Sequence, residues 1–103
     1  MAGPYSNGGR ERNVDDAISA AHFLRELGHY PFIPHLAHFW DLAHPRTYAD
    51  WMAWCIEWLS VCECLVRLPG ASPGADAEVA YAELKGIPVY YGIGDFVRKT
   101  AAI

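Results

Sequence analysis

The sequence predicts an α/β fold in which a mostly parallel sheet carries helices on both faces. Short apolar runs suited to strands alternate with longer segments whose apolar residues recur every three or four positions. Glycine and proline punctuate the junctions between them. The run Cys64-Leu65-Val66-Arg67-Leu68 is apolar apart from Arg67, which suits a strand covered on both faces. Alternation of helix and strand along the chain is the signature of parallel sheets.

Residues 2–11 read as a loop, because Gly3, Pro4, Gly8 and Gly9 disfavour regular structure. A first helix follows from Asn13 to Leu27, with Asn13 as N-cap and Asp15 and Asp16 in the first turn. Its stripe is Val14, Ala17, Ile18, Ala21, Leu24 and Leu27, and Gly28 ends it. Tyr30 to Pro34 is short, apolar and proline-flanked, and reads as a strand near a sheet edge. His35 to Arg46 reads as a long loop rich in histidine and aromatics. A second helix opens at Thr47, with Asp50 three residues on as in a capping box. Tyr48, Trp51, Met52, Cys55, Ile56, Leu59 and Cys62 form its apolar face. After the strand Cys64 to Leu68 and a loop from Pro69 to Pro73, a third helix spans Gly74 to Lys85 and stops at Gly86. Ile87 to Tyr91 reads as a last strand, and residues 94–100 as a short helix. A doubly wound sheet normally begins with a central strand. Only Met1 and Ala2 precede the first loop, so the first strand is expected to be truncated.

The 103 residues suffice for a single domain, residues 1–103, with one core. With 52% hydrophobic and 19% charged residues, the composition is globular rather than disordered. A net charge of −4 argues against a nucleic-acid polymer as partner, because the phosphate backbone selects clustered Lys and Arg. Cys55, Cys62 and Cys64 are an odd set without a secretory signal, which suits reduced thiols in the cytoplasm. The most apolar stretch, Trp51 to Cys62, is too short for a bilayer, so no membrane is expected.

The most informative residue is Glu78, four positions after Gly74. A strand, a glycine-bearing turn and a carboxylate near the start of a helix is where open α/β sheets place ligand chemistry. A carboxylate there can attack a sugar carbon or stabilise a developing cation. Its bland alternative is a favourable interaction with the helix dipole. Asp76 could orient a ribose hydroxyl or cap the same helix. The set His35, His38, Asp41 and His44 recurs at intervals of three, yet loop histidines beside Phe39 and Trp40 suit base stacking better than a metal, and none is expected. Trp54 and Trp58 fall near the polar side of the second helix, which suggests a homodimer or homotetramer.

The chain resembles the small bacterial and phage proteins related to nucleoside 2-deoxyribosyltransferases and nucleotide N-glycosidases. The matching residues are Ala2-Gly3-Pro4-Tyr5-Ser6, Arg12-Asn13-Val14, Phe32-Ile33-Pro34-His35, Tyr48-x-x-Trp51-Met52, Leu68-Pro69-Gly70, Gly74-Ala75-Asp76-x-Glu78 and Gly86-Ile87-Pro88-Val89-Tyr90-Tyr91. The resemblance implies a flavodoxin-like three-layer sandwich with its site at the strand ends. It implies cleavage or transfer at the N-glycosidic bond of a nucleoside or nucleoside 5′-monophosphate, without a cofactor. Glu78 would be the nucleophile on the sugar C1′ and Tyr5 its support. Gly3, Ser6, Gly8 and Gly9 would line the sugar or phosphate pocket, with Asn13, His35, Gly74 and Asp76 as further substrate contacts. The chain departs from the pattern at two places. The deoxyribosyltransferases have an Asp on the second helix that assists the leaving base, and the matching position is Cys55. Ala75 stands where a Thr or Ser is usual.

Overall fold

The computed structural model describes residue 3 and residues 10–100, with side chains from residue 13 onward. Helices dominate. They are α1 (Arg10–Glu26), α2 (Ala37–Ala43), α3 (Tyr48–Leu59), α4 (Pro73–Lys85) and α5 (Ile93–Thr100), joined by a 3-10 turn at Pro34–Leu36. Strands β1 (Leu65–Arg67) and β2 (Val89–Tyr91) make the only sheet among the described residues. They run parallel with Leu65 opposite Val89 and Arg67 opposite Tyr91.

Local chemistry explains most of these boundaries. The α1 helix ends where Gly28 takes φ +95°, and the amide of His29 donates back to the Leu24 carbonyl at 3.1 Å. That left-handed closure favours a residue without Cβ. The α4 helix ends the same way, with Gly86 at φ +74° and the Ile87 amide donating to Ala82 O at 2.8 Å. Thr47 caps α3, its Oγ1 accepting from the Asp50 amide at 3.1 Å. Ser72 caps α4, its Oγ accepting from the Ala75 amide at 3.1 Å, and Pro73 occupies the first helical position, where no amide is needed.

Adjacent residues of β1 divide the core. Leu65 faces a cluster with Leu59, Ala75 and Ala82, contributed by α3 and α4. Val66 faces the other way, with Leu68, Ala17, Leu24 and Phe96, contributed largely by α1 and α5. This period-two division lets a three-residue strand serve both clusters.

The structure corrects the expected fold class. It is mostly helical with a two-stranded sheet, not a flavodoxin-like three-layer sandwich, and the expected strand at Tyr30 to Pro34 does not form. Pro31 and Pro34 lack the amide protons a ladder requires. Side-chain stacking holds this segment instead. Phe32 lies 5.1 Å from the Trp58 ring at an interplanar angle of 22°, and 5.3 Å from the Trp54 ring. The expected loop at 35–46 is largely the 3-10 turn and α2. The first helix begins three residues before Asn13, which therefore lies inside α1 rather than at its cap. Among the described residues, no helix is long and apolar enough to cross a membrane.

Candidate functional site

A cavity of about 410 Å³ opens where the loop before α4, the first turn of α4 and the face of α3 converge on the 3-10 turn and α2. Its volume lies within the roughly 300–1,000 Å³ typical of small-ligand sites. The α3 helix supplies Tyr48, Trp51, Met52 and Cys55, whose spacing of three and four brings them to one face. The α4 segment supplies Gly74, Ala75 and Glu78, while His35 and Asp41 close the far side.

Glu78 is the chemical centre of this cavity. The residue is only 7% exposed. No hydrogen bond joins its carboxylate to another described residue. Burial pushes its pKa up to about 7, against the opposing pull of positive charges that include Arg67. A carboxylate in that state is divided between acid and base at neutral pH. Cys55 shares the cavity. Burial, and then the Glu78 charge, push its thiol up to about 12, so the thiolate nucleophile is essentially absent at neutral pH.

The Arg67 guanidinium is engaged elsewhere. It donates to the Gly70 carbonyl at 2.8 Å and to the Leu68 carbonyl, and it pairs with Asp76 Oδ1 at 3.2 Å. These contacts brace the turn after β1, which delivers Ser72 and α4 to the cavity. Asp41 is also fixed in place. Its Oδ1 accepts from the Trp51 indole N–H at 2.7 Å and from the Arg46 amide at 3.0 Å. Trp40 packs edge-on against Trp51, with centroids 5.1 Å apart, behind that wall.

Gly74 is where the backbone must approach closely. A Cβ there would stand 2.7 Å from Tyr48 Oη and 3.4 Å from Met52 Sδ. Gly3 is packed in a similar way, since a Cβ would meet Leu68 Cβ at 2.8 Å. The Ser72 hydroxyl donates to the Gly3 carbonyl at 3.4 Å, which ties that residue to the cap of α4.

Of the residues expected from the sequence, Glu78, Gly3, His35 and Gly74 come together around the cavity. Asp76 does not line it. Its side chain is turned to solvent against Arg67, and Ser72 rather than Asp76 caps α4. Asn13, in the first turns of α1, is not among the lining residues. Tyr5, Ser6, Gly8 and Gly9 lie outside the described residues. The sequence reading assigned no site role to Tyr48, Trp51, Met52 or Ser72, and took Asp41 only as part of a metal set. The first three share the apolar face of α3, a pattern that a packed core and a cavity wall have in common. Among the described residues no group of three His, Cys, Asp or Glu side chains could hold a metal ion.

No curated protein and no solved structure matches the chain. A family model described as a domain of unknown function (DUF7768) matches residues 1–92. With nearly the whole chain covered, the protein belongs to the DUF7768 domain family.

Proposed function

We propose that the protein cleaves or transfers at the N-glycosidic bond of a nucleoside or nucleoside 5′-monophosphate, with Glu78 as the nucleophile or cation-stabilising carboxylate. The observation that carries this reading is a buried carboxylate without a bonded partner among the described residues, set in a cavity with aromatic walls. N-glycosidic cleavage passes through an oxocarbenium-like state, so a carboxylate beneath C1′ stabilises it or traps it covalently. Burial strengthens that attraction, because little water screens it. Tyr48 and Trp51 offer flat surfaces for the base, and His35 adds an imidazole to the lining. Water or a second base is the acceptor.

The test is incubation with a panel of nucleosides and nucleoside 5′-monophosphates, with free base measured by chromatography. Base release that disappears in Glu78→Gln is the expected result. Release that persists in that variant removes Glu78 from the mechanism. A second reading, a nucleotide-binding module without turnover, is favoured by Cys55. A thiol pushed up to about 12 is a poor acid for a leaving base. Calorimetric binding without base release would select it. We place the protein in the cytoplasm, in keeping with its three free thiols. It assembles as a homodimer or homotetramer through the exposed aromatics Phe39, Trp40 and Trp58. A monomer in sedimentation at micromolar concentration would remove the assembly part of the proposal.

A further inference from the structure

Three features of the cavity bear on which base it accepts, given the proposed function on which this inference rests. The first is charge. Asp41 and Glu78 both line the cavity, and no Lys or Arg does so among the described residues. Arg67 is bound to Asp76 and two carbonyls instead. Glu78 is more than nine-tenths buried and makes no hydrogen bond with a described residue, and burial disfavours its charged form more than the positive charges acting on it, Arg67 among them, favour it. A cationic ligand seated in the cavity would add counter-charge at close range. The second feature is aromatic surface. Tyr48 and Trp51 stand on the same wall, and such faces attract cations. The third is Cys55 in the cavity wall, whose thiol holds its proton tightly and is a poor acid for a leaving base.

Cleaving a neutral base from a sugar requires a proton for the departing nitrogen. A base that is already cationic requires none, because the electron pair of the broken bond neutralises it. We infer that the preferred substrates are nucleosides with a permanently cationic base, such as pyridinium ribosides, held between the Asp41 and Glu78 carboxylates and the Trp51 face.

The step balances without an acid. The C1′–N bond breaks and its electron pair passes to the ring nitrogen, which leaves as a neutral base. A Glu78 carboxylate oxygen bonds to C1′. Water then forms a bond to C1′, the C1′–O bond to Glu78 breaks with its pair returning to the carboxylate, and one proton passes to solvent. The net change converts riboside cation and water into free sugar, neutral base and a proton.

The experiment compares nicotinamide riboside with inosine, using the full chain. Each rate is taken relative to that compound's uncatalysed hydrolysis. The expected result is at least about a tenfold larger acceleration for nicotinamide riboside, lost in Glu78→Gln. Asp41→Asn keeps an oxygen to accept from Trp51 and Arg46, so the wall persists. The ratio of the two kcat/KM values is expected to fall about fivefold in that variant. Circular dichroism melts confirm that both variants are folded. The neutral C-nucleoside benzamide riboside, of matching shape, is expected to bind more weakly than nicotinamide riboside to Glu78→Asp, which retains the charge. Equal or greater acceleration of inosine overturns this inference and leaves the proposed function standing. Cleavage of neither compound overturns this inference, and overturns the proposed function as well if the panel of nucleosides and 5′-monophosphates also releases no base. Cleavage that survives Glu78→Gln overturns both.

Discussion

The indole N–H of Trp51 donates to Asp41 Oδ1 at 2.7 Å, and through this bond α3 holds the C-terminal half of α2. The same carboxylate oxygen takes the Arg46 amide at 3.0 Å, so the turn between the two helices is fixed from both sides. Without these bonds α2 would rest mainly on aromatic contacts.

Trp51→Phe keeps much of the ring contact with Trp40 and Trp54 but removes the donor. The expected loss is about 1–2 kcal/mol of folding stability, between the scale of an ordinary net hydrogen bond and that of one to a charged group. Urea unfolding measures it. A midpoint unchanged within error would mean that the α2–α3 connection is held by ring packing alone.

Glu78 makes stability depend on pH in an unusual direction. Its folded value of about 7 lies above the ordinary 4.5, so the folded chain holds this proton more tightly than the unfolded chain. The contribution is therefore present below the ordinary value and lost as pH rises towards 7 and beyond. The difference corresponds to at most about 3 kcal/mol. Glu78→Gln removes the penalty, and it is expected to raise the melting temperature at about pH 8 while changing little at about pH 4. An equal effect at both pH values, or destabilisation at the higher one, would contradict this.

Activity should follow the opposite limb. The nucleophilic form is the carboxylate, so kcat/KM for base release is expected to rise with pH and level off above about 7. Among the described residues, Arg67 on β1 favours the ionised form and Cys55 on α3 interacts with the Glu78 charge, while Asp41 on α2 and His35 in the 3-10 turn line the same cavity. A flat profile across neutral pH would exclude Glu78 ionisation as the controlling event.

Gly74→Ala tests the cavity wall separately from the carboxylate. The new methyl would press on Tyr48 Oη at 2.7 Å. That atom is the far end of a side chain on an exposed residue, so Tyr48 can swing away at small cost in stability. The swing changes the face offered to a flat ligand. KM should rise several-fold with kcat nearly kept and the melting temperature nearly unchanged. A large drop in melting temperature would show that Tyr48 cannot move.

Helix ends and two short strands were legible from residue chemistry, whereas the layered architecture was not. Thr47, Gly28 and Gly86 mark helix ends through effects confined to a few neighbouring residues, and each sits where such effects place it. The strands at 65–67 and 89–91 were legible because Leu65, Val66 and Val89 form short apolar runs between turns. The segment 30–34 was misread because the same apolar character serves stacking by Phe32 as well as pairing in a sheet. Whether a segment joins a sheet depends on a neighbouring edge, which no local pattern encodes. The α2 helix escaped because His38, Phe39, Trp40 and Asp41 are weak helix formers, and tertiary contacts such as the Trp51–Asp41 bond settle the matter. Glu78, Gly74 and His35 line the cavity, and so do Tyr48, Trp51 and Met52, which the sequence marks only as an apolar helix face. A helix face against a void carries the same periodicity as one against packed side chains.

The pairing of Leu65 with Val89 spans only the residues of one turn, α4 and a short return. The entropy lost in closing a loop grows slowly with its length, and this loop is short for a parallel connection. The segment from Leu65 to Tyr91 is therefore suited to nucleate folding, with α1 docking afterwards. On that order of events, Leu65→Ala slows refolding, whereas Leu24→Ala chiefly accelerates unfolding. Stopped-flow chevrons with equal fractional effects at the two positions would reverse the sequence of assembly.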